Sequence, residues 1–390
     1  MVSLPSTLER IRTRLILLAL FLMPWQTRWI FGTDTLSGGI SEFGVLSFFV
    51  VEGLIVLAFV LQPFIEHHRD FDGAVTLGWV MMLAMLASVF SASNPHLAMM
   101  AWLHVLGAYV LFLNLLNRHV KPKEALFAFT LGLVAPALLG VFQAVTGSSP
   151  ASTLLGLASH DAMTAGASVI ETFSMRWLRA YGSFQHPNVF GGYLAVGLFA
   201  VFLFLRWDVS KKARMGAYAV GALLTATLVL TYSRSAWIAF VLSSVLAGWL
   251  LFLHHRVELR RVIPLGLIIL FVMGFTATLF SNPYVVALEE THPGREVYAY
   301  QPVHNLYLLM LSELGVIGTL FVLLWMVLID RYIFANLPRV GAVGALAIGS
   351  ALFIIGFFDH YLWSLWPGLA LVAFVLAMTL RLSEPGVEKE

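Results

Sequence analysis

The stretch ARMGAYAVGALLTATLVLTYSRSAWIAFVLSSVLAGWLLFL, residues 213–253, decides the fold. It holds two apolar runs, 213–231 and 235–253, parted only by Thr231-Tyr232-Ser233-Arg234-Ser235. Each run is close to the ~20 apolar residues that a helix needs to cross the hydrocarbon core of a bilayer. Two such runs back to back, with one cation at the joint, describe a membrane hairpin. A tight turn and a re-entrant arrangement both fit the break.

The rest of the chain repeats this pattern. It is 59% hydrophobic and 11% charged, against roughly 45–50% and about 25% for soluble globular domains. A mean hydropathy of +0.87 over 390 residues cannot be one buried core, and no polar segment is long enough to be a soluble domain. The absence of cysteine excludes disulfides, thiol catalysis and Cys-type metal sites. No small-residue cleavage site follows the first apolar run after Arg10, Arg12 and Arg14, so that run reads as a first helix entering from inside. Further spans are expected at 13–31, 41–61, 73–91, 97–116, 124–145, 188–205, 262–281, 305–329, 340–357 and 362–381. The expectation is an all-α polytopic membrane helical bundle of about 12 transmembrane helices, a single transmembrane domain over 1–390.

Charge sets the orientation. With both termini cytoplasmic, 18 of the 23 Lys and Arg fall on the inner side, as the excess of cations in cytoplasmic loops requires. Arg28, Arg176, Arg179, Arg234 and Arg295 are left outside. Two outer loops, about 146–187 and 282–304, are longer than turns, and loops of that length are commonly functional. They form the expected active-site region.

The polar residues at the outer boundary carry the chemistry. Arg234 stands where a helix enters from outside, so the positive end of the helix dipole and free backbone N–H groups lie beside its guanidinium, an arrangement that binds phosphate. A helix-end Arg also snorkels to headgroups, which is the plain alternative. Arg179 and the run Tyr181-Gly182-Ser183-Phe184-Gln185-His186-Pro187-Asn188 lead into another entering helix, with Pro187 suited to its first turn and Gln185 or His186 just before it. Trp177, Tyr181 and Phe184 could stack on sugars or serve as interface aromatics. His304 opens a third such helix and can cap it or act as a base at neutral pH. Glu313 lies deeper in that helix, where an acid is expensive and is a functional candidate by default; nine residues place it nearly opposite His304. Asp359-His360 precede the last helix. HExxH-like ligand spacing is lacking, so metal dependence is unsupported, and no phosphate-loop glycine pattern points to a nucleotide cofactor.

These residues carry a resemblance. Arg179-x-Tyr181-Gly182-Ser183-Phe184-x-His186-Pro187-Asn188-x-x-Gly191-Gly192-Tyr193, then Ser233-Arg234-Ser235-Ala236-Trp237, then Pro302-Val303-His304-Asn305-x-Tyr307 with Glu313-Leu314-Gly315, resemble in order and spacing the O-antigen ligase and O-antigen polymerase superfamily. The match covers roughly 179–315; residues 1–145 match only as hydrophobic spans. The resemblance implies a GT-C-like, metal-independent, inverting glycosyltransferase without cofactor. Its donor would be a glycan on undecaprenyl pyrophosphate, and its acceptor a hydroxyl on a lipid, a growing polysaccharide or a protein. The site would face outward from the cytoplasmic (inner) membrane. Carried over, Arg179 and Arg234 would bind the pyrophosphate and His304 would position or deprotonate the acceptor. Tyr181, His186, Asn188, Tyr307, Glu313, Asp359 and His360 would be the substrate-contacting candidates. The chain departs from the pattern in a short loop before His304 and in having no C-terminal extension, which disfavours the protein-glycosylating branch. The competing class is a transporter for an anionic or polyprenyl-linked solute, which should place ionisable residues along a path through the membrane rather than at one face.

Overall fold

The computed structural model describes residues 7–36, 39–61, 71–90, 92, 94–164, 166–171, 175–255, 304–336 and 339–384. The span expected at 262–281, nearly all of the 282–304 loop, Pro302 and Val303 lie outside them. In chain order the elements are α1 (Thr7–Leu22), β1 (Arg28–Leu36), β2 (Gly39–Phe49), α2 (Val50–Val60), α3 (Asp72–Val89), α4 (Pro95–Leu116), α5 (Pro122–Gly132) and α6 (Val134–Thr146). There follow β3 (Ser148–Ser149), β4 (His160–Asp161), β5 (Val169–Glu171), β6 (Arg176–Leu178), α7 (Pro187–Phe204), α8 (Lys211–Leu230) and α9 (Arg234–His255). The chain closes with α10 (Leu306–Ala335), α11 (Val340–Gly356), α12 (Tyr361–Ser364) and α13 (Trp366–Ser383).

Among the described residues, 8 helices are long and apolar enough to cross a membrane, with the joined α5–α6 counted as one. The expected spans at 13–31 and 41–61 are corrected: each is part strand. Helix α1 ends two residues before Pro24, which has no N–H to give and whose ring blocks the preceding turn. Beyond it, Trp29, Ile30, Phe31, Thr33 and Thr35 favour strand over helix, and β1 pairs antiparallel with β2, Trp29 opposite Phe48. The expected span at 340–357 is α11, a 17-residue helix. The 124–145 run bends at Leu133, because Pro136 cannot donate to the carbonyl four residues back. The joint at 231–235 is a short turn between α8 and α9, each long and apolar enough to cross a membrane. Among the described residues the fold is therefore mainly α, with three two-stranded ribbons.

Helices α7 and α13 form the centre: their apolar windows are 83% and 89% buried, against 17% for α8 and 18% for Gly318–Ala335. Around them pack α4, α5, α9 and α11. The peripheral helices turn large apolar side chains outward, among them Leu83, Phe90, Val145, Met215 and Leu320. An apolar surface of that extent is stable against lipid, not water.

Two basic residues of the inner set are buried rather than interfacial. Arg12 donates to the Asn114 carbonyl at 3.2 Å, and Arg381 donates to the carbonyls of Leu116 and Val120. Both satisfy carbonyls at and just past the C-terminal end of α4, which have no partner within the helix. Arg381 lies in the last turn of α13, and Trp366 begins it about 22 Å away at 1.5 Å per residue.

Candidate functional site

The starts of α7, α9 and α10 meet the segment between α11 and α12. His186 is the N-cap of α7: its Nδ1 accepts the Asn188 backbone N–H at 3.1 Å, and Pro187 takes the first helical position. With Nδ1 accepting, the neutral ring carries its proton on Nε2, 3.1 Å from Ser168 Oγ. Burial first, then the charge of Arg179 and the neighbouring histidines, hold this imidazole down to about 3. His186 is thus a neutral cap.

Arg179 comes in from the end of β6. Its Nε donates to the Thr231 carbonyl at 2.7 Å and its Nη2 donates to Asn188 Oδ1 at 2.7 Å. Asn188 passes the contact on, its Nδ2 donating to Asp359 Oδ2 at 2.9 Å, and Ser235 Oγ donates to the same oxygen at 3.2 Å. One polar chain therefore ties the end of α8, the start of α7, the segment after α11 and the start of α9. Burial lowers the Arg179 guanidinium to about 10; Tyr181 and Asp359 raise it, and the like charge of Arg234 lowers it. Burial raises the Asp359 carboxyl to about 6, against the pull of Ser235, His304, Asn188 and Arg179.

Backbone geometry presents Arg234. Among the described residues Tyr232 alone, apart from glycines, has a positive φ, of 49°, a conformation that costs an L-residue about 1–2 kcal/mol. The turn is held by the Ser233 N–H on Thr231 Oγ1 (3.2 Å) and by Trp237 Nε1 on the Leu228 carbonyl (2.8 Å). Arg234 then begins α9, exposed, and its guanidinium makes no hydrogen bond or ion pair among the described residues. Close packing is needed too: a Cβ on Gly191 would sit 2.8 Å from Ser233 Cβ, and one on Gly192 would collide with the Tyr361 hydroxyl.

At the start of α10, Asn305 is the cap, its Oδ1 accepting the N–H groups of Tyr307 and Leu308 while Nδ2 donates to the Phe357 carbonyl. His304, just before it, is exposed, with its ring centroid 5.3 Å from that of His360 in an edge-on arrangement. His360 Nδ1 lies 2.7 Å from Ser364 Oγ, and burial with the proximity of His304 brings its pKa down to about 4.

The remaining candidates stand apart from this cluster or support it. Tyr181 is 2% exposed, stacked on His160, with its hydroxyl accepting the Ser168 N–H. Phe184 is buried on Phe190 and Tyr193, while Trp177 is exposed. Tyr307 donates to the Phe353 carbonyl at 2.7 Å and so ties α10 to α11. Glu313 accepts from Trp363 Nε1 at 2.7 Å, well away from His304, and α10 kinks just after it at Gly315.

Sequence reasoning missed two features. Gln143, fully buried in α6, accepts the N–H groups of Tyr181 and Gly182 and donates to the Gly182 carbonyl and Ser149 Oγ, pinning the approach to Arg179. Glu52 Oε1 and His104 Nδ1, 2.7 Å apart, form a second polar contact of this kind. The signal in both cases was a strongly polar residue inside an apolar run.

Among the described residues no three His, Asp or Glu converge as a metal site. The cluster instead offers two cations, a helix N-terminus and histidines, a set suited to a multiply charged anion beside a hydroxyl. No family model, curated protein or solved structure matches the chain.

Proposed function

We propose that the chain is an O-antigen ligase-like glycosyltransferase of the cytoplasmic membrane. It would move a glycan from undecaprenyl pyrophosphate to an acceptor hydroxyl at the outer face, with inversion and without a metal. The observation that carries this reading is the seat of Arg179 on the turn that presents Arg234: its Nε donates at 2.7 Å to the Thr231 carbonyl, three residues before Arg234 at the start of α9. Two guanidiniums brought to one turn repel, and a diphosphate between them would convert that repulsion into attraction. In the step, the acceptor oxygen forms a bond to the anomeric carbon while the bond from that carbon to the pyrophosphate oxygen breaks. The electron pair leaves on the diphosphate, where Arg179, Arg234 and the N-terminus of α9 meet the growing charge. His304 takes the hydroxyl proton.

Sidedness supports the same reading. The cluster lies near the Trp366 end of α13, whereas Arg12 and Arg381 lie at the other, and the cation-rich inner loops belong with the latter. Ligase, polymerase and protein O-oligosaccharyltransferase share this chemistry and differ only in acceptor.

The test is incubation of the protein in liposomes with an undecaprenyl-pyrophosphate oligosaccharide and lipid, polysaccharide and peptide acceptors, with mass analysis. One acceptor should gain the glycan mass as undecaprenyl diphosphate is released. No product with any acceptor, together with movement of the intact lipid-linked glycan between leaflets, would make the chain a transporter.

A further inference from the structure

A cavity of about 640 Å³ opens beside the cluster, lined by residues that include Arg28, His104, Gln185, Glu313, Trp363 and Ser364. Its volume falls within the roughly 300–1,000 Å³ of small-molecule sites. It adjoins the cluster at two points: Gln185 precedes the His186 cap, and Ser364 Oγ touches His360 Nδ1.

Its wall holds His104, which is paired with Glu52 and which the steps above do not use. Glu52 Oε2 accepts the Phe49 N–H at 2.8 Å and thereby caps α2. Its other oxygen, Oε1, lies 2.7 Å from His104 Nδ1. A cap needs one carboxylate oxygen, so capping accounts for Oε2 alone. His104 sits in mid-α4, where no helix end needs it. A carboxylate on Nδ1 keeps the proton there and leaves Nε2 as an acceptor; Nε2 has no hydrogen-bond partner among the described residues, and the ring lies on the cavity wall. Trp363 lines the same cavity, its indole N–H held by Glu313 Oε2 at 2.7 Å.

We propose that this cavity is a sugar subsite, in which His104 Nε2 accepts a hydroxyl of the glycan while the Trp363 ring packs on the sugar's C–H face. The proposal rests on the glycosyltransferase reading and names where the glycan lies next to the pyrophosphate site. A sugar matches the lining because it offers hydroxyl donors and an apolar ring face together. An acyl chain would cover His104 Nε2 without giving it a hydrogen-bond donor, a desolvation cost that a sugar hydroxyl removes.

The experiment measures binding of two fluorescent lipids to the full chain in nanodiscs: undecaprenyl pyrophosphate alone and the same lipid carrying a tetrasaccharide. His104→Ala and Trp363→Ala should each weaken the glycan-bearing lipid by about tenfold or more and leave the bare lipid unchanged. His104→Gln, which keeps an acceptor, should fall between. Equal weakening of both lipids would assign the cavity to the lipid carrier, and no weakening of either would empty it of a role; both overturn the proposal. Arg234→Ala separates the underlying reading, since it should weaken both lipids alike. If it weakens neither, the pyrophosphate site fails whatever the His104 variants show.

Discussion

Asn188 Nδ2 donates to Asp359 Oδ2 at 2.9 Å, joining the first turn of α7 to the segment after α11 across 171 positions of sequence. Arg179 and Ser235 complete the link on either side, so the carboxyl of Asp359 holds the frame around both arginines. Its buried position has a pH signature. The folded pKa, about 6, lies above the ordinary 3.8, so the folded state holds a proton that the unfolded chain releases. That stabilisation is fully present below about 3.8 and is lost as pH rises through about 6. Relative to Asp359→Asn, the wild-type melting temperature should therefore fall over this window. A constant difference between the two proteins from pH 4 to 7 would show that Asp359 does not titrate there.

Arg234 and Arg179 should separate in their effects. Arg234 is exposed and makes no bond that the fold uses, so Arg234→Ala should leave the melting temperature unchanged and lower glycan transfer by about a hundredfold or more, the scale of removing one transition-state charge partner. Arg234→Lys should recover part of it, lacking only the bidentate fork. Arg179→Ala should lose activity and stability together, because Thr231 and Asn188 lose their donor. Wild-type transfer by Arg234→Ala would remove the arginine from the reaction.

Much of this site was legible because helix starts leave marks in sequence. Pro187 after His186, His304 ahead of the apolar run from 305 and the polar break at 231–235 placed three helix N-termini, and charge bias put them on one side. What sequence could not show was pairing at a distance. Nothing local tells that Asn188 reaches Asp359, that Gly191 exists to admit Ser233, or that Gln143 points at the backbone of Tyr181 and Gly182. The first sixty residues misread for another reason: hydropathy registers that a segment is apolar but not whether Gly32, Gly39 and the aromatics of 28–49 make it strand. The 13–31 window failed where it ran across Pro24 into the strand from Arg28.

Gly191 tests the close approach of α7 and α9. An added Cβ would meet Ser233 Cβ at 2.8 Å and Ala236 Cβ at 3.0 Å, both on a helix start that cannot shift without moving Arg234 and Ser235. Gly191→Ala should cost roughly 1–3 kcal/mol of stability as overpacking and reduce transfer beyond what the stability loss explains. Gly216→Ala, where a Cβ meets nothing within 4 Å, is the matched control and should do neither.

Gln143 carries four hydrogen bonds to one loop. Gln143→Leu keeps the volume but strands the N–H groups of Tyr181 and Gly182, each worth roughly 1–3 kcal/mol when left unpaired in a buried place. The melting temperature should fall, and proteolysis within 146–187 should quicken as the loop opens. Unchanged cleavage would mean that the loop is held by its ribbons alone.

His186 and His304 look alike in sequence, each just ahead of an entering helix, yet the structure gives them different work. His186 is buried, with Nδ1 on the Asn188 N–H and Nε2 on Ser168, so it has no free nitrogen for a substrate. Its task is capping, which Asn performs as well. His186→Asn should therefore keep most of the transfer activity, and His186→Ala should lose stability by about 1 kcal/mol, a typical cap value. His304 leaves the capping of α10 to Asn305 and is exposed at the cluster. His304→Asn should abolish transfer in protein that still folds and inserts. The reverse pattern, with His186→Asn inactive and His304→Asn active, would exchange their roles and make the buried imidazole the base.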